Sequence, residues 1–261
     1  MIYWHSGTGN SLYTATVLAR MLGEDMCRMT PGCSASASSC ERVIWVFPIY
    51  SWGLPPVVKK FISRSTGLEN ARHYMVCTCG DDIGLAHETW RSLLRRKGWN
   101  ARGAWSVQMP NNYVLLPGFD VDSSSLEQEK LFAAAGRLAE VARGIACGAK
   151  VDSVVRGQFP WIKTHVLYPL FARFMMSPKP FSFTGSCISC GKCAAVCPAA
   201  NIRMENGHPC WGTNCSLCLG CYHICPVHAV AYGKATRGKG QYFIPKSMSS
   251  QKLFNFNCEV H

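Results

Sequence analysis

The sequence predicts an α/β chain in two parts: a doubly wound parallel sheet, then a smaller α+β unit built around cysteines. Three observations lead there. Apolar runs alternate with helical stretches through the first 147 residues, the pattern of a sheet covered on both faces. A loop of glycine, serine and threonine follows the first apolar run directly. Further on, a cysteine motif occurs twice, each cysteine of the second copy standing 28 residues after its counterpart.

Ile2-Tyr3-Trp4-His5 reads as a short strand, and Ser6-Gly7-Thr8-Gly9-Asn10-Ser11 follows it. Leu12, Ala15, Ala19 and Leu22 then recur at helical spacing up to Gly23, a helix stop. A strand, a Gly/Ser/Thr loop and a helix N-terminus make an anion site: backbone N–H groups turn inward, and hydroxyls of Ser6, Thr8 and Ser11 add donors. It is not a Walker loop, since no lysine follows the last glycine. Nor is it a dinucleotide fingerprint, since Leu12 stands where the third glycine belongs. On its own, such a loop could equally be an ordinary strand–helix turn.

A second strand is expected near Met26 to Met29. Val43-Ile44-Trp45-Val46-Phe47 reads as a buried parallel strand. It runs into Pro48-Ile49-Tyr50-Ser51-Trp52-Gly53-Leu54-Pro55-Pro56, a loop with two aromatics that closes with proline near a helix start. Residues 74–78 form the next strand, ending at Cys79-Gly80-Asp81-Asp82. A helix bearing Leu85, Trp90, Leu93 and Leu94 follows. Residues 104–109 make a further strand that leads into Pro110-Asn111-Asn112-Tyr113, and a long helix capped by Asp122 or Ser123 runs towards Gly144. In such sheets ligands bind beyond the carboxyl ends of the strands, where all these loops lie. An anion nest beside Tyr50, Ser51, Trp52, Gly53, Cys79, Gly80, Asn111, Asn112 and Tyr113 suits flavin mononucleotide. Its phosphate would sit in the nest, its ring against Trp52, Tyr50 or Tyr113, with the asparagines on its polar edge.

Residues 148–183 read as a helical linker. Ile162, Val166, Leu170 and Phe174 share a stripe flanked by Leu167, Phe171 and Met175, with Pro169 expected to kink the helix by removing the bond to His165. Packing one domain on the other is its expected role, with a dimer face or a substrate-side wall as lesser readings. Interruptions at Lys163, His165, Pro169 and Arg173 argue against a membrane span.

From residue 184 the cysteine motif takes over: Cys187, Cys190, Cys193 and Cys197-Pro198, then Cys215, Cys218, Cys221 and Cys225-Pro226. Each copy is C-x2-C-x2-C-x3-C-P, the spacing of bacterial two-cluster ferredoxins, in which the fourth cysteine ligates the other cluster. Cys187, Cys190, Cys193 and Cys225 would hold one [4Fe-4S] cluster, and Cys215, Cys218, Cys221 and Cys197 the other. Zinc or disulfides would require neither the third cysteine nor the paired Cys-Pro endings. The remaining cysteines (Cys27, Cys33, Cys40, Cys77, Cys79, Cys147, Cys210 and Cys258) are expected as free thiols. Free thiols beside oxygen-labile clusters imply a cytoplasmic protein of an anaerobe. His5, His223 and His228 could move protons, and His223 could hydrogen-bond near a cluster sulfur. The segment from Gly233 onward should lie over the other domain.

At 261 residues, 48% of them apolar, the chain can bury one medium and one small core. Its formal charge is +12. Two clusters and a flavin phosphate would each add roughly −2, leaving roughly +6. A basic surface suits an acidic electron-transfer protein, a ferredoxin or flavodoxin, as well as an ordinary solvated exterior. No nucleic-acid motif is present.

The first 147 residues resemble a flavodoxin, whose phosphate loop has the form [ST]-x-T-G-x-[ST] matched by Ser6, Thr8, Gly9 and Ser11. The whole chain resembles the EFR1-type family of flavodoxin–ferredoxin fusions of anaerobic bacteria. Ser-Gly-Thr-Gly-Asn-Ser, Pro48 to Pro55 and Met109 to Tyr113 fit its patterns. The resemblance implies a flavodoxin-like sheet over 1–147, a linker over 148–183 and a two-cluster ferredoxin domain with a tail over 184–261. The cofactors themselves imply electrons entering one at a time and leaving in pairs. An FMN-dependent reductase of a small organic acceptor is the leading expectation. A pure electron carrier feeding a partner enzyme is the alternative, and a relic cysteine domain a third.

Overall fold

The computed structural model describes residues 1–30, 34–35 and 40–244. Its centre is a six-stranded parallel sheet in the order β2-β1-β3-β4-β5-β6. The strands are β1 (Ile2–Trp4), β2 (Met26–Arg28), β3 (Arg42–Pro48), β4 (Arg72–Cys79), β5 (Asn100–Gln108) and β6 (Asp152–Ser153). The first five follow the 2-1-3-4-5 order of flavodoxin-like sheets, whose order reverses beside β1. The short β6 comes from the expected linker and extends the sheet by pairing Ala104 with Asp152.

Period-two alternation along the strands sorts their side chains into two cores. Tyr3, Trp45, Phe47, Met75 and Cys77 face α2 (Pro56–Arg64) and α3 (Ala86–Arg96). Ile2, Trp4, Ile44, Val46, Tyr74 and Val76 face α1 (Asn10–Leu22) and α4 (Ser124–Ala146). Trp45 is fully buried and stacks between Tyr3 and His73, at centroid distances of 5.3 and 6.0 Å, while its Nε1 donates to His73 Nδ1 at 3.1 Å. Ser123 caps α4 by accepting from the Leu126 N–H at 3.3 Å; Asp122 instead pairs with Lys130 at 2.7 Å.

Residues 160–175 form one helical run, α5, but not the kinked α-helix expected. π turns at Lys163–Leu167 and Phe171–Met175 flank Tyr168–Leu170, so the chain absorbs Pro169 by changing its hydrogen-bond register. The buried stripe is also not the expected one. Thr164, Tyr168 and Phe171 face inward, whereas Ile162, Val166, Leu170 and Phe174 are exposed. Thr164 Oγ1 accepts from the Leu85 N–H and donates to Trp52 O, and the Tyr168 hydroxyl donates to Leu54 O at 2.7 Å. These bonds seat α5 on the sheet unit through Thr164 and Tyr168, which belong to neither expected stripe. Among the described residues, no helix is long and apolar enough to cross a membrane.

The cysteine-rich unit starts at Phe181, three residues before the expected boundary. There β7 (Phe181–Phe183) pairs antiparallel with β10 (Val230–Tyr232). Between them lie α6 (Lys192–Val196), the hairpin β8 (Ile202–Glu205) and β9 (His208–Trp211), and α7 (Gly220–His223). The 28-residue repeat reappears in the backbone. Left-handed φ values recur at Ser189 and Leu217, Gly191 and Leu219, and Ala200 and His228. Equivalent N–H···S bonds run from Asn201 to Cys197 (3.3 Å) and from Ala229 to Cys225 (3.2 Å). Side chains rarely adopt that backbone region unless the surroundings impose it, so two copies of one strained loop are being held in shape.

The turn carrying Trp52 depends on a glycine. Tyr50 and Gly53 exchange two backbone hydrogen bonds of 3.0 Å, with Ser51 and Trp52 both at positive φ between them. A Cβ on Gly53 would lie 2.3 Å from the Tyr168 ring. Gly53→Ala should therefore destabilise the protein by about 1–3 kcal/mol through overpacking, read as a lower urea-unfolding midpoint. An unchanged midpoint would show that α5 does not seat there.

Candidate functional site

The loops after β1, β3, β4 and β5 meet at the carboxyl edge of the sheet and enclose one cleft of about 1,940 Å³, including its open mouth. Ser6, Gly7, Thr8, Asn10, Ser11, Tyr50, Ser51, Trp52, Cys79, Gly80, Asn111, Asn112 and Tyr113 all line it. Gly9 and Gly53 do not; they shape the backbone behind it. Gly9 precedes α1 at φ 102°, with Ile244 packed against its Cα.

The loop at residues 6–11 is buried and its hydroxyls are oriented. Ser6 Oγ accepts from the Gly9 N–H (3.1 Å), and Thr8 Oγ1 accepts from the Asn112 amide (2.7 Å). A hydroxyl that is already accepting keeps its own O–H to donate elsewhere. No side chain caps α1, so its first N–H groups also remain available. Among the described residues no lysine or arginine lines the cleft, so an anion there would be held by N–H and O–H donors at a helix N-terminus.

Three expected ligand groups are otherwise engaged. The Asn10 amide donates to Pro110 O (3.0 Å) and accepts from the Tyr242 hydroxyl (2.6 Å). Asn111 Oδ1 accepts from the N–H of Asn112, while its amide nitrogen donates to Asp120 O. The Asn112 amide holds Thr8. These bonds fix the three asparagines in the cleft wall and leave each side-chain NH2 a second N–H to donate. Cys79 has its thiol pushed up to about 12 by burial and by Asp82 and Asp81, so it stays protonated. The Tyr113 ring meets Phe119 and Phe171 edge-on, and its hydroxyl is buried without a partner.

Sequence reasoning missed Leu116 and Phe119 in the outer wall and gave the α5 side chains there only as a lesser reading. Leu116, Phe119, Leu167, Phe171, Phe174 and Met175 line that wall, and Leu217, Cys218 and Leu219 line its inner end. The α5 stripes were visible in sequence, but periodicity cannot say which stripe turns towards a ligand.

Two small cavities lie in the cysteine-rich unit. Cys187, Cys190, Cys193 and Cys225 line one; Cys197, Cys215, Cys218 and Cys221 line the other. The fourth cysteine of each copy is thus exchanged between cavities. Among the described residues, no three Cys, His, Asp or Glu side chains converge as a single-ion site requires. Burial pushes the Cys218 thiol up to about 12 and raises those of Cys193, Cys215 and Cys221.

Cys218 belongs to both the second cavity and the cleft. A Cβ on Gly7 would lie 2.9 Å from Cys218 Cβ, and one on Gly220 would lie 2.7 Å from Gly7 O. The anion loop and the cysteine loop therefore touch backbone to backbone.

The histidines differ from expectation. His223 does not bond a sulfur: its Nε2 donates to Asn112 O (2.7 Å) and its Nδ1 accepts from the Tyr242 N–H (3.1 Å). Burial lowers its pKa to about 4 and that of His5 to about 3, so both are neutral, while His228 is exposed. Cys27 is disulfide-bonded, contrary to the free thiol expected. Cys40, Cys77, Cys79, Cys147 and Cys210 are free, whereas Cys33 and Cys258 lie outside the described residues.

No known family profile and no curated protein matches the chain. Among solved structures it is similar to a protein described as a flavoprotein from Bacteroides uniformis, at 13% identity and TM-score 0.36, over 41% of this chain and 90% of that one. It is also similar to the Trp repressor binding protein of Bacillus subtilis, at 15% identity and TM-score 0.34, over 52% and 95%. At such scores neither likeness bears weight beside the geometry above.

Neutral burial of His223 has a sign. The unfolded imidazole titrates near 6.5 and the folded one at about 4, so between those values only the unfolded chain takes up the proton. Its contribution is complete above pH 6.5 and is lost as pH falls towards 4, at about 1.4 kcal/mol per pH unit. His223→Gln should flatten the fall in urea-unfolding stability between pH 7 and pH 5. An unchanged slope would contradict this assignment.

Proposed function

We propose that the chain is an iron–sulfur flavoprotein oxidoreductase, with FMN in the cleft and a [4Fe-4S] cluster in each cysteine cavity. The observation that carries this reading is Cys218, one side chain lining both a four-cysteine cavity and a flavin-sized cleft. The donor sets fit the groups. Four separated thiols around a small void suit a cubane, whose four irons each take one thiolate and need no common point. N–H and hydroxyl donors at the start of α1 suit a phosphate, and Trp52, Tyr50 and Tyr113 offer flat faces for a ring. Bound there, the clusters supply one-electron transfer at low potential, and the flavin can pass on electron pairs.

The chain's own residues arrange the order of events. Cys190 and Ile188 are exposed beside Lys192 at the first cavity, where a low-potential acidic donor such as reduced ferredoxin could approach a basic protein. Cys218 and the Gly7–Gly220 contact form the inner junction, with the Arg28 guanidinium near Cys218 and Cys197. Trp52, on its strained turn, is stiffened by Lys163 Nζ at 5.2 Å from its ring, and Lys163 is anchored to Asp82 at 2.6 Å. Leu116, Phe119, Phe171 and Met175 would exclude water from an acceptor. That apolar outer wall favours a reductase with its own small organic acceptor over a pure carrier. This reading agrees with the flavodoxin–ferredoxin fusion family that the sequence resembles.

Chain purified without oxygen should carry one FMN and about eight irons with about eight sulfides. Cys225→Ala should cost the same cluster as Cys187→Ala, and Cys197→Ala the same as Cys215→Ala, each leaving about four irons. Colourless protein, or losses pairing Cys225 with Cys215, would overturn the assignment.

A further inference from the structure

The α5 run has one face in use and one bare. Thr164, Tyr168 and Phe171 are buried, while Phe159 is 70% exposed, Trp161 60%, Leu170 50% and Phe174 69%, with Ile162 and Val166 also in solvent. Exposed large apolar side chains normally occur singly; a contiguous patch marks a surface built to be covered. Two observations say by what.

The first is charge. Residues 154–180 contain Arg156, Lys163, Arg173, Lys179 and His165, and no Asp or Glu. Among the described residues, Lys163 alone of these forms an ion pair, and Arg156, Arg173 and Lys179 are exposed. Arg173 lies over the Phe174 ring at 5.6 Å, and the exposed Arg156 and Lys179 bracket the apolar run, so cationic groups are interleaved with the apolar ones. Projecting Trp, Phe and Leu side chains flanked by unpaired cations are the signature of a segment lying in the headgroup boundary of an anionic bilayer. An acidic protein would satisfy the charges but would need pockets for the separate rings, whereas hydrocarbon needs none. The second is continuity. Leu170 and Phe174 of the bare face also line the cleft, so the cleft opens along that face.

We propose that this face of α5 docks on an anionic lipid surface, lying in the headgroup layer without crossing it. Docking would place the mouth of the cleft at the lipid–water boundary, the right position for a lipid-soluble acceptor. The docking itself does not depend on which cofactor the cleft holds.

The test is flotation of the full chain, purified without oxygen, with phosphatidylcholine vesicles that contain or lack phosphatidylglycerol. The chain should float with the anionic vesicles, and added salt should release it. Phe159→Ser with Trp161→Ser should weaken partition at least tenfold, and Arg156→Gln and Lys179→Gln about fivefold each. None of these four residues lines the cleft, so absorbance spectrum and thermal midpoint should match the parent chain. The proposal is overturned if the parent chain ignores both kinds of vesicle, or if the variants float as it does. It is equally overturned if Trp161 is shielded from hydroxyl-radical labelling without lipid, whether by a second copy or by residues 245–261.

Discussion

The molecule turns on a contact between two glycines. Gly7, in the loop after β1, sits against Cys218, and Gly220 sits against the carbonyl of Gly7. Any side chain at either position would push the two loops apart, because the atoms it would meet are largely backbone and cannot swing away. The approach brings a four-cysteine cavity and the cleft to opposite sides of one residue. Moving either loop outward by a side chain's width would leave two binding sites on one chain with nothing joining them.

Much of the surrounding structure holds that contact closed. The His223 ring bridges Asn112 O and the Tyr242 N–H, and the Tyr242 hydroxyl reaches Asn10 at the start of α1. Two residues further, the Ile244 N–H donates to Thr8 O at 2.9 Å and its side chain backs Gly9. Gln241 binds the carbonyls of Tyr222 and Cys225, so the strap is tied to both units. A buried chain of this kind stabilises only when every member is paired, and it needs His223 neutral with its proton on Nε2. On the other side, α5 joins the units through Thr164, Tyr168 and Phe171, and the third core mixes Phe171 and Val114 with Phe181, Leu217 and Tyr222.

Legibility in the sequence followed the locality of the physics. The parallel strands were plain because strands buried on both faces are unbroken apolar runs, as at Val43 to Phe47. The exchange of Cys197 and Cys225 between cavities was legible because the repeated C-x2-C-x2-C-x3-C-P spacing is that of two-cluster ferredoxins, whose fourth cysteine serves the other site. What escaped notice depended on non-local contacts. The apolar spacing of Ile162, Val166, Leu170 and Phe174 reported an apolar face and could not say that the body of the protein turns away from it. The partners of the Asn111 and Asn112 amides were not legible because the folded loop sets them: Asp120 O and the Asn112 N–H for Asn111, and Thr8 for Asn112. His223 stood two places before a cysteine-proline pair, yet its partners come from residues 112 and 242.

The central claim is that the contact at Cys218 lets charge pass within one chain, from the cysteine cavities to the cleft. The most direct measurement is rapid-mixing absorbance on the anaerobic holoprotein, following the flavin band after a pulse of reductant has filled the iron–sulfur sites. The account predicts flavin reduction at a rate unchanged when the protein is diluted tenfold. A rate that falls in proportion to protein concentration, or a flavin band that stays oxidised, would contradict it.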